Sequence, residues 1–123
     1  MIIGQHLLIE CHGQHANLDA GQLLALMERA AQAGGARVLS QHFHKFGEQG
    51  GVTGVLILAE SHITVHTWPE HHYAAFDIFM CGDSQPGKAA AVITQHFPTA
   101  TSHIKTMERS CPTGVNGPQA AAL

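Results

Sequence analysis

The chain has 123 residues, of which 45% are apolar and 12% charged, and a formal net charge of -3. That length supports one domain with a modest two-layer core. The charge balance, with no lysine or arginine cluster, argues against a nucleic-acid surface, and no apolar run reaches membrane-spanning length. Cys11, Cys81 and Cys111 are odd in number and widely spaced, unlike a disulfide framework. With no basic leader ahead of the first apolar residues, a cytoplasmic protein with reduced thiols is expected.

Residues 2–10 (IIGQHLLIE) mix β-branched and alternating apolar positions and predict a strand. Asp19 can cap a helix in which Leu23, Leu26, Met27 and Ala30 recur at helical spacing, and Gly34-Gly35 end it. Residues 36–46 (ARVLSQHFHKF) predict a second strand, with Val38, Ser40, His42 and His44 on one face. GEQGG is a turn. Residues 52–60 predict a strongly apolar third strand. A fourth begins at Ser61 or His62 and ends before Trp68-Pro69, and residues 72–81 form a fifth. Pro86 starts a second helix, with Ala90, Ile93 and Phe97 on one face.

Residues 99–110 make the last strand, and residues 111–123, rich in Gly, Pro and Ala, a disordered tail. The order β-α-β-β-β-β-α-β predicts an α+β two-layer sandwich, an antiparallel sheet with two helices on one face, in a single domain over residues 1–110. The second face of so small a sheet needs cover, which predicts a homodimer.

Glu60-Ser61 stands where two apolar strands meet. A serine hydroxyl beside its own N-terminal peptide bond can attack the preceding carbonyl, converting amide to ester where strain and a base assist. Elimination then leaves a dehydroalanine, and hydrolysis a ketone, the pyruvoyl group. Such a ketone condenses with a substrate amine and accepts the electrons released by decarboxylation, work that no encoded side chain does. A serine between strands is by itself bland, so its companions decide.

Those companions are ESHITVHTWPE at 60–70 and YAAFDIFMCGD at 73–83. Together they resemble the signature of the prokaryotic S-adenosylmethionine decarboxylase proenzyme family. GQHLLIE at 4–10 and HFHKF at 42–46 resemble further blocks of it, so the likeness runs from residue 3 to residue 83. It implies self-cleavage between Glu60 and Ser61, with Ser61 becoming a covalent pyruvoyl cofactor. The implied activity is decarboxylation of S-adenosylmethionine to the aminopropyl donor for spermidine synthesis.

The same likeness implies roles residue by residue. His66 assists processing by proton transfer, a task suited to an imidazole, and Thr53 supports processing where the family carries a serine. Cys81 returns a proton to the substrate's α-carbon. Phe46 and Trp68 hold the adenine, since flat rings stack on a flat base, Glu70 binds the ribose hydroxyls, and Glu10 is an acidic position near the active site. The stretch 58–83 thus gathers a cofactor precursor, its processing aid, its proton donor and part of a ligand clamp. Departures from the family are His71-His72 for Tyr-Gly, Phe76 for a smaller aliphatic, Met80 for threonine, and a turn one residue longer at 47–51.

Two other readings stay open. One keeps the pyruvoyl chemistry but takes arginine or ornithine as substrate, against which the aromatic Phe46 and Trp68 speak. The other is an unprocessed, non-enzymatic homologue. A metal reading rests on His42 with His44 and on His62 with His66, each pair sharing a strand face. Without Cys-Xxx-Xxx-Cys or His-Glu-Xxx-Xxx-His, the expectation is no metal.

Overall fold

Alternation of apolar and polar side chains organises the protein, seen in a computed structural model that describes residues 1–112. Strands β1 (Ile2–His12), β2 (Val38–Lys45), β3 (Val52–Leu58), β4 (Ser61–Trp68), β5 (Tyr73–Cys81) and β6 (Thr101–Ser110) form one sheet in the order β2-β3-β4-β5-β1-β6. Every neighbouring pair is antiparallel. Helices α1 (Ala20–Ala33) and α2 (Pro86–Gln95) cover one face, giving the predicted α+β sandwich.

Period-two patterning splits each central strand between two environments. Leu7 and Ile9 of β1, Leu56 and Leu58 of β3, Ile63 and Val65 of β4, and Phe76 and Ile78 of β5 are buried against the helices. The helices meet them with Leu23, Leu26, Met27 and Ala30 of α1 and with Ala89, Ala90 and Ile93 of α2. Truncating one such residue, as in Leu26→Ala, costs about 2–5 kcal/mol. The alternate residues, His6, Leu8, Glu10, His62, Thr64, His66, Tyr73, Asp77 and Phe79 among them, stand on the uncovered face.

Local signals set the helix ends. Asp19 Oδ1 accepts from the Gln22 backbone N–H at 2.8 Å while Gln22 Oε1 accepts from the Asp19 N–H at 2.9 Å, a reciprocal cap. Gly35 ends α1 in the left-handed region at φ 79. Pro86 opens α2, as expected from its fixed φ.

Three details depart from the sequence expectation. The β2–β3 register shifts between Val38 and Ser40, so Val38 turns toward the core rather than sharing a face with His42 and His44. A 3-10 helix, Gln14–Asn17, precedes α1 and buries His15. Phe97 lies beyond the end of α2 and packs edge-on against that imidazole, with centroids 4.9 Å apart. His15 Nε2–H donates to the Ile93 carbonyl at 2.7 Å, and burial pushes the ring's pKa down. The predicted tail falls outside the described residues from position 113 on, while Cys111 N–H bonds the Met1 carbonyl at 2.9 Å.

Candidate active site

Two chemically distinct regions lie at opposite ends of the sheet. At the first, only Ala59 and Glu60 link β3 to β4. Glu60 has φ 62, a left-handed conformation that costs a residue with a side chain about 1–2 kcal/mol. Ser61 opens β4 on the core side, 9% exposed, and its Oγ is sealed from solvent and has no hydrogen-bond partner among the described residues. Cys81, at the end of β5, donates its thiol hydrogen to the Glu60 carbonyl oxygen at 3.0 Å.

Gly4 of β1 faces Cys81, where a Cβ would come within 2.6 Å of the Met80 carbonyl oxygen and 3.1 Å of Cys81 Cβ. The missing side chain therefore lets β1 close on the thiol. A groove of about 490 Å³ opens there, lined by Ile3, Gly4, Cys81 and Pro86 among others. A nucleophile with no competing hydrogen bond sits in a strained turn next to a carbonyl already polarised by a donor. That arrangement suits attack of the hydroxyl on its own preceding peptide bond, because the thiol hydrogen lies where negative charge would develop.

At the second region, Thr53 and His66 are cross-strand partners, with Thr53 Oγ1 3.1 Å from His66 Nδ1. An aromatic row continues from them. His66 lies 6.0 Å from Trp68, Trp68 stacks on Tyr73 at 5.3 Å, and Tyr73 stacks on His12 at 5.1 Å. Phe46, Thr53, His66, Trp68 and Glu70 line a hollow of about 200 Å³. Glu10 stands beside it, accepting from the Tyr73 hydroxyl at 3.4 Å. Burial first, and then the Glu10 carboxylate, pushes the Tyr73 phenol's pKa up and keeps that donor protonated. His72, where the family signature carries glycine, adopts φ 50, the conformation glycine favours.

The structure brings Glu60, Ser61 and Cys81 together, and separately gathers Thr53, His66, Phe46, Trp68 and Glu70 with Glu10 nearby. It does not unite the two groups within one chain, which corrects the expectation of one local cluster at 58–83. The reason is geometric. Ser61 and His66 are five residues apart on one strand, so they face opposite sides and are separated by about 17 Å at the ordinary strand rise. Sequence reasoning also missed Tyr73 and His12, which the β1–β5 and β4–β5 registers bring beside Trp68. The paired histidines offered as a metal signal do not converge. Among the described residues it is His6, His62 and Asp77 that do.

Comparison with known proteins agrees with this arrangement of elements and motifs. Residues 5–110 match the family described as S-adenosylmethionine decarboxylase. The S-adenosylmethionine decarboxylase proenzyme of Moorella thermoacetica is 39% identical over 124 residues, which cover 98% of this chain and 96% of that protein. The proenzyme of the same name from Prochlorococcus marinus strain MIT 9211 is 40% identical over 114 residues, covering 90% and 93%. The crystal structure of the adenosylmethionine decarboxylase from Aquifex aeolicus superposes with a TM-score of 0.76 at 28% identity, over 95% of this chain and 98% of that one. With its motif-bearing strands, its sheet and nearly its whole length matched, the chain belongs to the S-adenosylmethionine decarboxylase family.

Proposed function

We propose that the chain cleaves itself between Glu60 and Ser61 and then decarboxylates S-adenosylmethionine, yielding the aminopropyl donor for spermidine synthesis. One observation carries this reading: the unpartnered Ser61 hydroxyl adjoins a left-handed Glu60 whose carbonyl already accepts the Cys81 thiol hydrogen. In the first step the Oγ–carbonyl bond forms and the C–N bond breaks, leaving an ester and a free amine. Elimination returns Glu60 as a carboxylate and leaves a dehydroalanine at 61. Water displaces its nitrogen as ammonia, and the residue ends as a ketone. Release of the strained φ at Glu60 favours the forward direction.

The residues fit the group so formed, since Cys81 stays beside position 61 and a groove of about 490 Å³ opens at the thiol. A pyruvoyl ketone there supplies the electron sink for loss of CO2 from an α-amino acid. Cys81 holds the proton destined for the substrate's α-carbon. Phe46 and Trp68 offer faces for adenine, and a sulfonium near such rings gains about 0.5–2 kcal/mol. Glu70 accepts from the ribose hydroxyls, and Glu10 holds Tyr73 in the aromatic row. A cytoplasmic setting keeps the thiol reduced.

His66 and Thr53 of a second copy meet the Glu60–Ser61 peptide from the uncovered side, where Cys81 contacts the Glu60 carbonyl. A homodimer that stacks uncovered faces about a two-fold axis sets the hairpin end of each protomer against the hollow of the other. Leu8, Ile57, Trp68 and Met107, 40–61% exposed on that face, supply apolar area for the contact. The hollow of about 200 Å³ is smaller than a typical ligand-enclosing site of roughly 300–1,000 Å³, so the partner provides further walls.

Intact mass and CO2 release test the reading. The purified wild type should resolve into two fragments and release CO2 from S-adenosylmethionine. Ser61→Ala should remain one chain of 13.1 kDa and release none. An uncut, inactive wild type, or turnover of arginine or ornithine instead, would overturn it.

A further inference from the structure

Between the two ends of the uncovered face, three side chains from three strands converge. β5 runs between β4 and β1, and His62, Phe79 and His6 form one cross-strand row. Asp77 lies two residues back on β5, so both imidazoles reach it diagonally past the Phe79 ring. His6 Nε2 is 3.2 Å from Asp77 Oδ2, and His62 Nε2 is 3.6 Å from Oδ1. One nitrogen from each histidine and one carboxylate oxygen lie within 4.8 Å of one another. The imidazoles stand nearly perpendicular at 88°, and each packs against Phe79.

His6 Nε2 is shielded from solvent and makes no hydrogen bond among the described residues, although the carboxylate is at ion-pair distance. Its alignment is therefore not that of N–H···O, which leaves a lone pair free to meet a cation. Asp77 is already fixed. Thr64 Oγ1–H donates to Oδ1 at 2.5 Å and leaves Oδ2 toward His6, the outer-shell support that ligating carboxylates ordinarily have.

We propose that His6, His62 and Asp77 bind one divalent transition-metal ion of the Zn2+ type. Two imidazole nitrogens and a carboxylate oxygen suit Zn2+ and its neighbours, whereas Mg2+ and Ca2+ prefer oxygen throughout. Metal–donor bonds of about 2.0–2.2 Å place tetrahedral donors about 3.3–3.6 Å apart, close to the 3.2 Å between His6 Nε2 and Asp77 Oδ2, while the three donor atoms all lie within 4.8 Å of one another. A small turn of the partly exposed His62 ring closes the remaining gap. Three protein donors leave one position for water. The ion ties β1 to β4 across β5 and holds the residue that follows position 61. The latter consequence rests on the self-cleavage reading, while the site itself does not.

The test uses the full chain, stripped with chelator and titrated with Zn2+ by calorimetry, alongside Ser61→Ala. Both should take up one ion, so metal binding is read independently of cleavage. His6→Gln, His62→Gln and Asp77→Asn should each weaken uptake at least tenfold, and Thr64→Val by about tenfold. Co2+ should give the intense visible bands of a tetrahedral site, lost in the same variants. Zn2+ should raise the melting temperature of the wild type but not of these variants, whose circular dichroism verifies folding. No stoichiometric uptake, uptake unchanged in folded His6→Gln and Asp77→Asn, or uptake lost only in His42→Gln/His44→Gln would overturn the site.

Discussion

The hairpin end and the hollow end of the sheet differ in nearly every physical respect. The first is shielded and strained, with a left-handed Glu60 and a hydroxyl that no group partners. The second is exposed and aromatic, with Trp68, Tyr73 and His12 stacked in a row. In the proposed reading one end supplies what bond breaking needs and the other what recognition needs. Under the proposed self-cleavage and homodimer, their separation means that a small sheet divides a reaction between its two ends and rejoins them by symmetry.

Mixing two inactive chains tests that division most sharply. Ser61→Ala and His66→Ala should each fail to process alone. Co-expressed, they should regain cleavage in mixed dimers that pair an intact Ser61 with an intact His66 from the other chain. No recovery, read by intact mass, would place the whole site in one protomer. Next in size, Cys81→Ala should slow self-cleavage about 10²-fold, the scale of losing one donor to a developing oxyanion. Trp68→Ala should leave cleavage at its wild-type rate and raise KM for S-adenosylmethionine about tenfold, consistent with loss of a stacking contact of roughly 1–2 kcal/mol.

Smaller effects concern stability. In a Ser61→Ala background, Glu60→Gly should stabilise the uncut chain by about 1 kcal/mol, seen as a melting temperature several degrees higher. At the hollow end, buried His15 makes stability pH-dependent. Burial lowers its folded pKa below the ordinary 6.5, so the unfolded chain takes the proton first. Its stabilising contribution is present above about pH 6.5 and drains away as pH falls through the folded value. His96, lowered by burial and by Arg29, adds the same sign. His15→Gln, which keeps a donor for the Ile93 carbonyl, should flatten the melting temperature against pH below 6.5.

Much of this was legible in the chain. The apolar run at 52–60 and the segment 72–81 gave strands close to the observed bounds, and Asp19 and Pro86 marked both helix starts. Val38 was misread because a bulge adds a residue that strict parity cannot anticipate. The 3-10 helix around His15 carries no periodicity and is held by tertiary packing. The candidates Ser61, His66 and Cys81 came from their motif alone, and the strand places Ser61 and His66 on opposite faces, which the motif did not convey. The meeting of His6, His62 and Asp77 was not legible. It depends on β1 lying beside β5 rather than beside its sequence neighbour β2, and that order is a property of long-range pairing.

The sheet order carries one more consequence. A cut ahead of residue 61 assigns β1, α1, β2 and β3 to one piece and β4, β5, α2 and β6 to the other. β1 is inserted between β5 and β6, hydrogen-bonded to a foreign strand along each edge. The two products of the proposed cut would thus be interleaved rather than abutted, and losing one peptide link would leave the ladder that holds them intact. A protein built this way can sever its backbone without coming apart.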